Sequence, residues 1–500
     1  MRKDLYDMLL NYFFTGSVIS VYCNQWGDTG KGKILDLLMA IARIGERPMG
    51  ADNCGHTIVA NGQKIVTHMI PSSIVHDALG IVSVIGRGVA FNPLTARREL
   101  EMLMDSGVTW ENLKISFRAK LTMPYHILFD RLSEARANPD KKIGTTGRGV
   151  GPVFQDHVGR TGLCVRDMLD ADVMCQKLQH VLPDRITFLK TLDPMLIKEL
   201  LHHDDLENGL FFHPTEMLDI DAIIVRYLEH GKFFNAVITD AEKYVRSHVG
   251  KVTIALEGAQ GAILDIDDGS YPFVTSSRCT VAGLAHGAGL REGDITHKIG
   301  VVKAYQTRVG AGCMPTEIGG HNAVEIFVRD YKRYSATSDF SLLINDPDPI
   351  IQGAAIGRVG GEFGATTGRL RRIGWLDLVA LRYAVELNGP DVSITKLDVL
   401  TGIKKIPVCV GYTYRGLSNP AIGLEHDQIL TVMMPENDIL EQCEPIYEIL
   451  DGWDEDISGV TTYHDLPEKA QYYLDFIEMR ADVNIVLISV GPDREQTFFA

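Results

Sequence analysis

Five stretches of this chain share one layout, in which a short run of apolar and β-branched residues breaks off into a polar loop. SVISVYCNQ (Ser17–Gln25) runs into a glycine loop, VTIAL into EGAQG, KIGVVKAY into QTRVGAG, DVSITKL into DVLTG and NIVLISV into GPDR. Runs this continuous belong to parallel strands buried on both faces, and such sheets collect ligands at the carboxyl ends of their strands. Helical patterns lie between them. KILDLLMAIARI follows the first loop, and WLDLVALRYAVEL carries an apolar face at Leu376, Val379, Ala380 and Tyr383. The expected fold class is α/β: a large, mostly parallel central sheet with flanking helices, P-loop-like, with inserted helical subregions at about residues 95–250. Without an internal repeat or a low-complexity linker, residues 17–500 read as one domain behind an N-terminal extension, residues 1–16. That extension is interrupted by Asp7 and Asn11 and lacks a small-residue cleavage site, so it reads as amphipathic and not as a signal peptide. Residues 318–360 have mixed character and no assignable element.

The net charge of −16 argues against a general nucleic-acid binder. Eight scattered cysteines without a C-x-x-C pair form neither a zinc ribbon nor a disulfide framework, which suits a reducing cytoplasm. No apolar run reaches the length of a membrane span.

The chemistry starts at NQWGDTGKGKILD. From Gly27 it fits G-x-x-x-x-G-K, but Ile34 stands where a P-loop places a metal-binding hydroxyl. A glycine loop alone is often only a tight turn; between a strand and a helix, Gly27, Gly30 and Gly32 let N–H groups face an anion, and Lys31 and Lys33 add charge. Asp28 is then the nearest oxygen for Mg²⁺, and a carboxylate so placed can also act as a base. In GADNCGHTIV, Asn53, His56 and Thr57 stand close together, and a His donor there suits a transferring phosphoryl group. In LEGAQGAILDIDDGSYPFVTSS, Gln260 and Thr275 can read a base edge or a phosphate. GATTGRLRRIGW sets Arg369, Arg371 and Arg372 after a hydroxyl-rich turn, and their forks suit a small dianion. TKLDVL resembles a guanine reader: Asp398 can accept from N1–H and the 2-amino group, whereas adenine leaves it unpaired.

Taken in order, WGDTGKGK, NCGHT, GTTGRGVGP, EGAQG, YPFVTSS, TRVGAG, GEFGATTGR, TKLDVL and GPDR resemble the adenylosuccinate synthetase family from about Val18 to Phe498. The resemblance implies a ligase that joins L-aspartate to IMP with GTP through a 6-phosphoryl intermediate, giving adenylosuccinate, GDP and phosphate on the way to AMP. It also implies one Mg²⁺ per subunit and a cytoplasmic homodimer. The implied catalytic residues are Asp28, His56 and Lys31, and the implied metal ligands are Asp28 and the Gly55 carbonyl, which explains why Ile34 is allowed. IMP falls to Asp28, Thr29, Gly30, Lys31, Asn53, Cys54, Gly55, His56, Thr146, Gln260, Thr275, Arg369 and, across the dimer interface, Arg160. Aspartate falls to Ala365, Thr366, Thr367, Gly368, Arg369 and Arg371. GTP falls to Gly27, Asp28, Thr29, Gly30, Lys31, Gly32 and Lys33, with Gly55, His56, Thr57, Arg371, Lys396, Leu397, Asp398, Ser489, Val490 and Gly491.

The chain departs from the family pattern at Thr29 (usually Glu), Asp52 (usually His), Thr161 (usually Arg), Leu370 within the arginine run and Arg278 (usually Asn). Two other readings stand beside IMP ligation: a dGMP-using relative and a silent nucleotide-binding regulator. The phage branch that uses dGMP typically alters the catalytic Asp, and silent homologues usually lose a catalytic residue. Here Asp28, Lys31, His56 and Arg369 are all present.

Overall fold

The computed structural model describes residues 1–60, 63–138, 142–201, 217–334, 339–364, 368 and 370–500. Among these, the central sheet runs in the order β19 (Thr497–Phe499), β18 (Asn484–Ser489), β14 (Asp391–Thr395), β10 (His297–Lys303), β1 (Val18–Cys23), β9 (Ile254–Glu257), β2 (Ile44–Gly50), β5 (Val82–Phe91), β6 (Leu113–Ser116) and β8 (Ile238–Thr239). A further short strand, β7 (Lys120–Leu121), pairs with the carboxyl end of β5. Every pairing in the sheet is parallel except β18 with β19. All six residues of β1 are buried, as expected of a strand covered on both faces. The register sets Val18 opposite Ile254 on one side and Ile19 opposite His297 on the other.

Two antiparallel pairs lie outside this sheet: β3 (His56–Ala60) with β4 (Gln63–Thr67), and β11 (Gln306–Arg308) with β12 (Arg372–Gly374). A second sheet, which the sequence patterns did not announce, joins β13 (Leu376–Asp377), β15 (Lys405–Tyr414) and β16 (Ile429–Leu430), with β17 (Cys443–Asp451) along the other edge of β15. The helices that matter for the site are α1 (Lys3–Tyr12), α2 (Lys31–Leu38), α3 (Pro93–Asp105), α4 (Pro124–Arg136) and α5 (Val150–Val158).

The structure corrects three sequence expectations. The helix after the phosphate loop ends at Leu38, not at Ile44. Arg43 N donates to Thr253 O (2.9 Å), and Ile44 then pairs with β9 and β5, so sheet pairing takes the chain before the apolar pattern runs out. Leu376 does not belong to the following helix but pairs with Val408 in the second sheet. Asp377 caps that helix by accepting from Val379 N and Ala380 N, so it begins at Leu378, and Tyr383 on it is only half-buried. Finally, residues 95–250 are not purely helical, because β6, β7 and β8 carry the sheet through them. The unassigned 318–360 stretch holds the helices Ala323–Tyr334 and Pro349–Val359, the second of which buries Ala355 and Ile356 in the core beside β14.

Candidate active site

The phosphate loop leaves β1 in an unusual backbone path. Gly27, Asp28 and Gly30 all take positive φ (87°, 52° and 89°), and aspartate is one of the few side-chain-bearing residues that tolerates this region. Side chains and neighbouring backbone hold the path in place. Cys23 Sγ accepts from Gly27 N, while Gln25 bridges to β10 by donating to Lys303 O and Tyr305 O and accepting from Lys303 N. The loop after β9 presses against it so closely that a Cβ on Gly261 would sit on the Gln25 carbonyl and 2.6 Å from Gly27 N. The two lysines part company here. Lys31 Nζ donates to Gln260 O (2.7 Å), whereas Lys33 Nζ donates to Ser489 Oγ and Gly491 O (both 2.6 Å) and to Gln496 O. Burial lowers the Lys33 pKa to about 7 against the raising effect of Asp398 and Asp493.

A cavity of about 980 Å³ opens at the carboxyl end of the sheet. It brings together Gly27, Asp28, Asn53, Cys54, Gly55, Thr146, Gln260 and Thr275 from five separate segments of the sequence. Asn53 Oδ1 accepts from Gln260 Nε2 (2.9 Å), so the loops after β2 and β9 form one wall. Loop 142–149 and residues 309–311 form the other, linked by Ala311 N donating to Ile143 O. Part of α4, including Phe129 and Leu132, closes the far side.

Two buried glutamates hold cations beside this space, and sequence reasoning assigned neither. Glu257, at the end of β9, pairs with His56 Nδ1 at the start of β3 and accepts from Ser72 N (2.8 Å). Burial works against the charge on His56, but Glu257 and the Cys54 thiol outweigh it, so its pKa is raised and the ring favours the cation. Burial likewise works against the Glu257 anion, and His56 and Arg47 override it, pulling that carboxyl down to about 2. Cys54 is drawn down to about 7 in spite of burial, by Arg47 (Nη2 to Sγ 2.6 Å), His56 and Lys31. The second glutamate, Glu362, accepts from Tyr305 OH (2.6 Å), Lys303 Nζ (2.7 Å) and Arg371 Nη1 (2.6 Å). Arg371 in turn places Nε 3.0 Å from Asp28 Oδ2. Glu362 is held at about 2 against its burial by Lys303 and Arg371, and burial lowers Lys303 only to about 8, so the pair is charged at neutral pH.

A third group lies at the ends of β14 and β18, outside the cavity wall. Thr395 Oγ1 donates to Thr29 O (2.7 Å) and ties β14 to the phosphate loop. Lys396 follows at φ 61° with Nζ on Gly360 O (2.8 Å). Asp398 Oδ1 is buried without a hydrogen-bond partner among the described residues, and burial raises its pKa. An unpartnered buried acceptor is costly, and a ligand donor relieves that cost. Leu397 and Val490 are fully buried, which leaves only their backbone to face a ligand.

A cationic imidazole, an arginine-held carboxylate and an unpaired buried acceptor stand around one glycine loop, and comparison with known proteins shows the family to which such a chain belongs. The family model for adenylosuccinate synthetase matches residues 20–498. The chain belongs to the adenylosuccinate synthetase family. Its members are ligases that form a C–N bond. The chain is 39% identical over 474 residues to the adenylosuccinate synthetase of Halothermothrix orenii, which covers 94% of this chain and 96% of the relative. It is 40% identical over 483 residues to that of Salinibacter ruber, covering 95% and 96%. Among solved structures, the fully ligated adenylosuccinate synthetase of Plasmodium falciparum superposes with a TM-score of 0.76 at 29% identity, over 97% of this chain and all of the other. A cyanophage succinoaminodeoxyadenylate synthetase bound to dGMP and dATP, at 15% identity and a TM-score of 0.52, shares the fold alone.

Of the residues expected to hold aspartate or nucleotide, Ala365, Thr366, Thr367 and Arg369 and the Thr57 side chain lie outside the described residues. Gly368 is described, at φ 63°. Arg160 follows α5 in a left-handed conformation (φ 65°), is exposed, and does not line the cavity of its own chain.

Proposed function

We propose that this chain joins L-aspartate to IMP, with GTP as the phosphoryl donor, and releases adenylosuccinate, GDP and phosphate. The observation that carries the reading is the pairing of an arginine-held carboxylate, Asp28 on the cavity wall, with a histidine whose partner Glu257 keeps it cationic. Asp28 removes the N1 proton of IMP, and O6 attacks the γ-phosphorus of GTP. The His56 cation offsets negative charge on the phosphoryl group in flight, and Lys31 stands beside it. Phosphorylation turns a poor leaving oxygen into a good one, and the aspartate amine then displaces phosphate at C6. The orphaned Asp398 Oδ1 supports a guanine base, with Lys396 and Ser489–Gly491 around it. Thr146, Gln260, Asn53 and Thr275 support IMP, and Gly368 and Arg371, with the residues outside the description, support aspartate.

Among the described residues no cluster of three or more His, Cys, Asp or Glu forms an all-protein metal cage. One carboxylate and one carbonyl, Asp28 and Gly55, both line the cavity, which is the donor set of a hard cation that draws its other ligands from phosphates. When bound there, Mg²⁺ would neutralise phosphate charge. Residues 17–500 would work as one domain behind residues 1–16, in the cytoplasm, where the eight unpaired cysteines stay reduced. No helix among the described residues is long and apolar enough to cross a membrane. Arg160, exposed and not lining its own cavity, supports a homodimer in which it completes the neighbour's IMP site.

Product formation with purified protein, GTP and aspartate tests the reading, with IMP and dGMP as alternative acceptors and ATP as alternative donor. IMP with GTP is the expected pair. Turnover on dGMP alone, or equal rates with ATP, overturns the assignment. Mixing inactive Arg160→Leu and Asp28→Asn proteins should restore activity through hybrid dimers, and no recovery despite subunit exchange removes Arg160 from the shared site.

A further inference from the structure

Helix α1 precedes the stretch that matches the family, residues 20–498, yet it is built into the nucleotide end of the site. Leu5 and Leu9 of α1 and the adjoining Phe13 are all but completely buried. They share one apolar cluster with Ile34, Leu35, Leu37 and Leu38 and with Val486 and Leu487. The first of those sets belongs to α2, which grows out of the phosphate loop, and the second to β18, which runs straight into Ser489–Gly491.

Polar contacts then tie the ends of that last segment down. On the outer side, Arg2 N donates to Glu495 Oε2 (2.8 Å) and Arg2 Nη2 to Thr497 O (3.3 Å), and the Tyr12 ring packs 5.6 Å from that of Phe499. On the inner side, Lys33 grips Ser489, Gly491 and Gln496, and Arg494 Nη2 donates to Asp36 Oδ1 (2.9 Å) on α2. Residues 489–497 are therefore held between α1 and α2. A loop ordered before its ligand arrives spares binding the cost of ordering it.

We propose that α1 is a positioning brace: by fixing segment 489–497 against the phosphate-loop helix, it sets the affinity for the guanine nucleotide without touching it. The proposal rests on the reading that Ser489, Val490 and Gly491 face the nucleotide. It predicts a selective effect, because the residues proposed for IMP lie on the loops after β2 and β9, which meet α1 through none of the contacts above.

The test uses the full chain carrying Leu9→Asp, which places a charge in the apolar cluster, and separately Glu495→Ala, which removes the ties of Glu495 to Arg2 N and to the Met1 amino group and leaves the apolar cluster intact. Steady-state kinetics with each substrate varied, together with amide exchange across 489–497, gives the readout. We expect KM for GTP to rise about tenfold in Leu9→Asp and about threefold in Glu495→Ala, as for loss of one or two ordering contacts. KM for IMP and for aspartate should stay level, and exchange across the segment should quicken in both variants. A KM for GTP that stays level in Glu495→Ala together with unchanged exchange overturns the brace, even if Leu9→Asp fails to fold. Equal losses for all three substrates in a folded Leu9→Asp reduce α1 to a general stabiliser and also overturn it. Gly491→Val separates the two levels of the argument. If it leaves KM for GTP level, the underlying loop assignment falls and the brace with it; if it raises KM while both brace variants do not, the brace alone falls.

Discussion

Glu257 and Glu362 are both buried and both held near 2 by cations, His56 beside the first and Arg371 together with Lys303 beside the second. The difference lies in what they grip. An imidazole can lose its proton near neutrality, so the His56 arm responds to pH, with Glu257 extending the range over which the ring stays charged. A guanidinium cannot, so the Arg371 arm is a fixed strut: Lys303 and Tyr305 anchor Glu362, Glu362 anchors Arg371, and Arg371 holds Asp28. One carboxylate tunes a proton and the other sets a geometry. Burial alone would raise the pKa of each, so what separates such residues from inert buried acids is the cation beside them.

The comparison can be broken at its most sensitive point first. Asp28→Asn keeps the shape at the end of the arginine strut but removes the proposed base, and kcat should fall by about 10²–10⁴-fold while nucleotide binding remains measurable by titration. A variant that retained more than about a tenth of wild-type turnover would place the base elsewhere.

Glu362→Gln takes the carboxylate from two cations, leaving Lys303 beside a neutral amide and Arg371 with Asp28 alone. Removing one member of a fully buried ion pair costs about 3–5 kcal/mol, which should appear as a lower denaturant midpoint at pH 7. Because the Glu362 pKa is depressed, its contribution is complete above the ordinary value of 4.5 and is lost as pH falls towards 2. The gap between variant and wild type should therefore close on acidification. A pH-independent gap would mean that shape, and not charge, makes the strut.

Glu257→Gln acts on the responsive arm. Without the carboxylate the His56 pKa drops, so the basic limb of the kcat profile should move to lower pH, with a loss of about tenfold at pH 8 that shrinks as the medium is acidified. An unmoved limb would show that the His56 charge does not govern the rate.

The smallest effect sharpens the contrast. Glu46 on β2 is a third buried glutamate, but neither of its oxygens has a hydrogen-bond partner among the described residues, and its pKa is raised well above 4.5, by burial first and by Glu242 second. An acid raised in this way contributes its full stability below the ordinary value and loses it as pH rises. Glu46→Gln should therefore raise the melting midpoint by about 2–4 °C at pH 8, and by less at pH 5. A lowered midpoint would mean that the acid proton makes a contact the amide cannot replace.

Much of the fold could be read in advance because its parallel strands are buried on both faces. β1, β9, β10, β14 and β18 each show as a mostly apolar run ending at a polar loop. The second sheet escaped because most residues of β17 are only partly buried and give no such run. The end of α2 and the start of the helix at Leu378 were misplaced for a related reason. Apolar residues continue through both boundaries, and the sheet pairings of Ile44 and Leu376, not the pattern, mark the change.

By itself the sequence determined the family, the strand-and-loop order and the place of the glycine loop between a strand and a helix, because each of these is written in consecutive residues whose local chemistry suffices. Only the tertiary structure decided how the groups are charged and held. His56 and Glu257 stand 201 positions apart, and Lys303 and Glu362 stand 59 apart, so no spacing rule announces either pair. Lys31 and Lys33, two residues apart, looked like one charge cluster. Residues so spaced do not share a helix face, so the fold sent one to Gln260 beside the cavity and the other to the 489–497 segment. Pairing energies depend on distance and burial through space, and these exist only once the chain has closed on itself.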